Sequence, residues 1–185
     1  MIQALETAGL GDPAELAAAD RTEIAALVSH APGARAPSTV AALRSLADWW
    51  NQHESELEQR TLSQLRDELR AIPGIGYVTA DAILLQGLGR PVVPIDRGTL
   101  RILLRHGWLD ASSELEEVSE AAVTLPGGDT PTAQLLARGF ATVHSRWCRA
   151  SKPDCESCPL ADLLPEGGPR ETGLESAGGE SSSWE

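Results

Sequence analysis

The chain has 185 residues, 42% of them apolar, and a formal net charge of -12. That length suffices for one well-buried domain, or two small lobes sharing an interface, and excludes two large domains; the acidity excludes a protein that coats nucleic acid unspecifically. No apolar run approaches the roughly 18 residues of a bilayer span, and Glu6, Asp12, Glu15 and Asp20 stand where a signal peptide would carry cations. A cytoplasmic protein with no membrane partner is expected.

The hydrophobic periodicity predicts helix after helix and no convincing strand, an all-α chain. Ser38 caps a helix in which Val40, Leu43, Leu46, Ala47 and Trp50 recur at helical spacing. Thr61 starts the next, with Leu62, Leu65, Leu69 and Ile72 on one face, and Pro73-Gly74 stops it. "YVTADAILLQGLG" is apolar almost all round, as expected of a helix buried between others. Pro91 and Pro94 force an extended link, after which Asp96 opens a helix through Leu100, Leu103 and Leu104. A weak acidic helix is predicted around Leu115, Val118 and Ala122, followed by an "LPGGDTP" loop. A longer helix with Leu135, Leu136, Phe140, Val143 and Trp147 then runs into a segment holding all three cysteines. Residues 166–185 are rich in Gly, Ser and Glu, and a disordered acidic tail is expected there.

The charge is unevenly spread. Residues 60–106 carry seven arginines against four carboxylates, a local excess of +3 in an otherwise acidic chain. The same stretch contains "IPGIG", between the helices predicted over 62–88. Gly74 and Gly76 around Ile75 allow a tight turn whose backbone N–H groups, at the start of the next helix, favour a phosphate. Ile72 and Ile75 would anchor the turn, and Thr79 and Ala80 would let two helices pack closely. A plain helical hairpin with Pro-Gly as a stop signal is the bland alternative. Asp96 likewise has two compatible readings: an ordinary N-cap, or a carboxylate that activates water and stabilises positive charge on a sugar. Cys148, Cys155 and Cys158 are too clustered for a disulfide framework and suit a shared metal or cluster site.

Taken together, "IPGIGYVTADAIL", "VPIDRGTLRI" and "HSRWCRASKPDCESCPL" resemble the endonuclease III and adenine glycosylase superfamily of helix-hairpin-helix DNA glycosylases, in family order and with near-family spacing. The resemblance implies a two-lobed, all-helical domain over 1–165, starting N-terminally short of the family by about one helix, with its hairpin at 62–88 and a cysteine loop at 148–164. It implies a monomer that binds double-stranded DNA at the nucleoid, a groove between the lobes, and a damaged or mismatched base flipped into a pocket. Asp96 falls on the catalytic aspartate of the family's V-D-T-H-V-x-R motif, here I-D-R-G-T-L-R. Ile72, Gly74, Ile75, Gly76, Thr79, Arg97 and Arg101 are then the DNA-binding residues.

Four departures qualify that picture. Arg97 and Gly98 replace the motif's Thr and His. Val78 stands where bifunctional members place a Schiff-base lysine, and Lys152 is the only lysine in the sequence, so a monofunctional hydrolase without AP-lyase activity is expected. Cys148, Cys155 and Cys158 match three of four ligands in the family's C-x6-C-x2-C-x5-C loop for a [4Fe-4S] cluster, but Leu164 holds the fourth position. The options are a cluster with a non-cysteine ligand such as Asp162, a labile three-ligand cluster, zinc completed by His144, or no metal. His144 is otherwise a helix residue satisfied by a carbonyl. The rival to an enzyme is a non-catalytic helix-hairpin-helix DNA-binding protein derived from a glycosylase.

Overall fold

A computed structural model of the protein describes residues 2–29, 36–110, 113, 118–119, 128–172 and 174. Among these there are helices and no strands, as the periodicity predicts. No described helix is long and apolar enough to cross a membrane. The chain divides into two compact units, Met1–Gly76 and Tyr77–Glu185.

The first unit is built from α1 (Ile2–Thr7), α2 (Pro13–Ala18), α3 (Arg21–Val28), α4 (Ala36–His53), a 3-10 segment (Glu54–Gln59) and α5 (Leu62–Ala71). Short helices need capping because their orphan N–H groups are a large share of the total. Asp12 and Asp20 supply it, accepting from Ala14 N and Thr22 N, each at 2.7 Å. Leu5, Leu10, Ile24, Val28 and Val40 form the core these helices share. Helix α4 begins at Ala36, two residues before the expected cap at Ser38, because Pro37 is tolerated in a first turn where its missing N–H costs nothing. At α5 the expectation holds: Thr61 and Gln64 form a reciprocal capping box. Trp49 Nε1 donates to Glu68 at 3.2 Å, and Arg60 pairs with both Glu56 and Glu68.

The second unit contains α6 (Tyr77–Gln86), α7 (Arg97–Arg105), α8 (Thr130–Arg146) and a 3-10 turn (Ala161–Leu163). Helix α6 stops where Gly87 and Gly89 leave helical geometry. Between α6 and α7 the chain is extended, with Val92, Val93 and Ile95 buried. Ser119, fully buried, places its hydroxyl 2.7 Å from Asp81 and 3.0 Å from the Val93 carbonyl, and so fixes this link to α6. Asp129 caps α8 by accepting from Thr132 N at 2.9 Å, with Pro131 in the first turn. Most of the acidic helix expected around Leu115 and Ala122, and the start of the "LPGGDTP" loop, lie outside the described residues. Within the stretch expected as a tail, Arg170 N donates to Arg105 O at 2.9 Å and its guanidinium lies against Gly107, while 173 and 175–185 lie outside the described residues.

The turn after α5 depends on one glycine. Gly74 has φ +90°, and a Cβ there would stand 3.2 Å from Ala42 Cβ on α4. Gly74→Ala is therefore expected to destabilise the protein by roughly 1–2 kcal/mol, seen as a lower urea midpoint at unchanged slope. An unaltered midpoint would show that the turn relaxes without strain.

Candidate functional site

In the first unit, Ile72 and Ile75 are buried and Pro73 and Gly74 exposed, so the apolar pair anchors a turn that shows its backbone to solvent. The turn closes with Ile75 N donating to Ile72 O at 3.0 Å. Gly76 is half-buried and ends this unit. In the second unit, the first turn of α6 has Val78 half-buried and Thr79 exposed.

Asp96 is the N-cap of α7. Its Oδ1 accepts from Thr99 N at 2.6 Å, and its Oδ2 lies 3.4 Å from His144 Nε2 on α8. The Asp96 side chain keeps 42% of its exposure. That exposure leaves lone pairs available to a ligand while one oxygen is held by the backbone. The N-cap reading of the aspartate is thus borne out. Sequence reasoning offered His144 to the cysteines, but the structure sets its Nε2 beside Asp96. Arg97, the next residue, is exposed, whereas Arg101 is half-buried and its Nε donates to the Cys148 carbonyl at 2.9 Å.

The other end of α7 meets the cysteine segment. Arg105 is 4% exposed; its guanidinium donates to Cys148 Sγ at 3.3 Å, Arg149 O at 2.9 Å and Ala150 O at 3.3 Å. Buried charge of this kind persists only when its donors are occupied. His106 is fixed too, with Nδ1 2.8 Å from Ile102 O and Nε2 3.2 Å from Leu160 O. Cys148, Cys155 and Cys158 line one pocket with Arg105, His106, Trp147, Asp154, Ala161 and Leu164. Burial pushes the Cys155 thiol above its ordinary pKa, against the opposing pull of Arg105.

These thiols suit three corners of a cluster, since each thiolate of an iron–sulfur cluster can bind a different iron. Leu164 presents no donor at the fourth corner, so a four-thiolate set does not fit. Asp162 is exposed and lies off the pocket, whereas Asp154 lines it. Zinc on a Cys3His set would need His144 beside the thiols, and His144 does not line their pocket. Sequence reasoning missed Arg105 as the anchor of this segment. Its position about two and a half turns after Asp96, in a helix whose neighbouring residues are mostly Leu and Ile, was the available signal.

Residues 148–163 match the iron–sulfur binding domain of endonuclease III. Among curated proteins, endonuclease III of Bacillus subtilis is 32% identical over 109 residues, covering 57% of this chain and 48% of that protein. The thymine/uracil-DNA glycosylase of Pyrobaculum aerophilum is 28% identical over 157 residues, covering 81% and 64%. The chain thus spans about half the length of the endonuclease III proteins it matches. In fold it is similar to endonuclease III trapped as a covalent intermediate with DNA, at TM-score 0.63 and 20% identity over 90% of this chain and 74% of that one.

The three bonds of Arg105 make a direct test of the anchor. Arg105→Met is expected to cost roughly 2–3 kcal/mol, the range for hydrogen bonds from a charged donor, and to open the segment to trypsin after Arg149. A melting temperature and cleavage rate equal to the parent's would show that packing alone holds it.

Proposed function

We propose that this chain, whose cysteine segment, relatives and fold support the endonuclease III superfamily of helix-hairpin-helix DNA glycosylases, is a DNA glycosylase of base excision repair. Its partner is double-stranded DNA, and its substrate a damaged or mismatched base flipped out of the duplex. The observation that carries this reading is Asp96: a half-exposed carboxylate, one oxygen fixed by the first turn of α7, at the position of the family's catalytic aspartate.

The chemistry follows from that placement. The exposed turn at Ile72–Gly76 offers backbone N–H groups to a phosphate, with Thr79 and Arg97 as further contacts to the strand. As the N-glycosidic bond lengthens, positive charge grows on the sugar, and the Asp96 carboxylate stabilises it. The bond breaks with its electron pair on the base, which takes up a proton. Water adds its oxygen to C1′ and gives up a proton, for which Asp96 is the acceptor. Val78 has no amine to form a Schiff base, so the sugar is left as an intact abasic site and the strand is not cut. Cys148, Cys155 and Cys158 would hold an iron–sulfur cluster, and Asp154 is a carboxylate that lines their pocket. When bound, the cluster would cross-link the segment that Arg105 and Arg101 already tie to α7.

A second reading keeps the hairpin and loses the chemistry. Val78 and Leu164, with the rewritten residues Arg97 and Gly98, are the observations that favour it, and it describes a DNA-binding protein derived from a glycosylase.

Base release from duplex oligonucleotides carrying oxidised, deaminated, alkylated or mismatched bases separates the two. We expect strand breaks that appear only after alkali, and that fall on the order of 10²–10⁴-fold in Asp96→Asn while DNA affinity stays within twofold. DNA binding without release of any base would establish the non-catalytic reading.

A further inference from the structure

We infer that His144 is the positioning residue of Asp96, filling from α8 the place beside the carboxylate that Gly98 leaves empty on α7. This rests on the assignment of Asp96 as the catalytic carboxylate.

The argument begins with a glycine that its backbone does not require. Gly98 lies in the first turn of α7 with no positive φ, and is buried. Glycine inside a helix costs about 0.5–1 kcal/mol relative to alanine, so a packing reason is needed. The structure supplies it: a Cβ at position 98 would stand 2.6 Å from His144 Cδ2 and 2.7 Å from His144 Nδ1. Real Cβ atoms do not approach that closely. The imidazole occupies the volume that any side chain at 98 would need. Its Nε2 then faces Asp96 Oδ2 at 3.4 Å, while Oδ1 is committed to Thr99 N.

The two contacts divide the carboxylate. One oxygen is held by the backbone of its own helix, and the other is faced by a side chain from a different helix. Such a distance in the free protein tightens when substrate excludes water. The ring that occupies the side-chain space of position 98 comes from a residue 46 positions later in the chain. His144 is thereby withdrawn from the cysteine pocket, whose lining does not include it.

The test is a double-mutant cycle on the full chain. Single-turnover base release and DNA affinity are measured for the parent, His144→Ala, His144→Gln, Gly98→Ala and the Gly98→Ala/His144→Ala pair. We expect His144→Ala to slow release about 10–100-fold, the size of a misplaced catalytic group, with DNA affinity unchanged. His144→Gln, which keeps an N–H donor, should recover part of the rate. Gly98→Ala should match His144→Ala, because its Cβ expels the ring, and the pair should lose no more than either single variant. Thermal melting reads the packing without activity: Gly98→Ala should lower Tm in the parent but raise it once His144 is alanine, when helix propensity alone remains. The contact itself is read by imidazole ¹⁵N resonances, where Asp96→Asn should move His144 Nε2 and leave His53 and His106 in place.

Parental rates in His144→Ala, additive losses in the pair, or a loss confined to DNA affinity would overturn the positioning role. So would a His144 resonance indifferent to Asp96→Asn. A parent that releases no base while the melting and resonance responses persist would overturn the glycosylase reading, and the catalytic role with it, but not the exchange of Gly98 for His144.

Discussion

The nine-residue helix α7 has to satisfy two polar groups that apolar packing cannot, one at each end. At its start, orphan backbone N–H groups need an acceptor, and Asp96 provides it through Thr99. At its end the buried Arg105 guanidinium needs acceptors, and the Cys148–Ala150 segment provides them. Between the two, Leu100, Ile102, Leu103 and Leu104 are buried. The requirements of one helix thus fix both the candidate catalytic carboxylate and the seating of the cysteine segment. At about 1.5 Å of rise per residue the two ends lie roughly 13 Å apart, and neither can shift without dragging the other.

The same accounting changes what the basic block means. Seven arginines in residues 60–106 suggested a phosphate-facing surface. Arg60 is spent on Glu56 and Glu68, Arg101 gives its Nε to the Cys148 carbonyl, and Arg105 is buried in the second unit. Much of the local excess of positive charge therefore serves the fold. Arg97 and the Pro73-Gly74 turn stay exposed. An acidic chain is compatible with that economy, because backbone donors at a helix start bind phosphate without a large net charge.

The sequence made legible those features that a local rule governs. The helix start at Thr61, the stop at Pro73-Gly74, the extended link at Pro91–Pro94 and the N-cap at Asp96 each depend on a few neighbouring residues, and each is found where its residues place it. Ser38 misled because Ser and Pro both favour a helix start, and Pro37 moved that start upstream. The Asp96–His144 contact, the filling of Gly98 and the three bonds of Arg105 were not legible. Each joins positions some 43 to 48 residues apart, and no periodicity encodes a partner at that distance. Gly98 came closest: a glycine where the helical pattern is otherwise strong signals that something stands in the place of its side chain, without saying what.

Loss of the fourth cysteine looks at first like loss of the segment's purpose. The contacts argue otherwise. Cys148 is buried with Ile102 and Val143, and Phe140, Trp147, Cys158 and Leu160 pack around them. Arg101, Arg105 and His106 fasten the backbone on either side. None of these bonds uses a fourth ligand. Leu164, lining the same pocket, adds apolar surface where a thiolate would have added charge. Packing and Arg105 thus help to seat the segment, and a cluster on its three thiols would add to them.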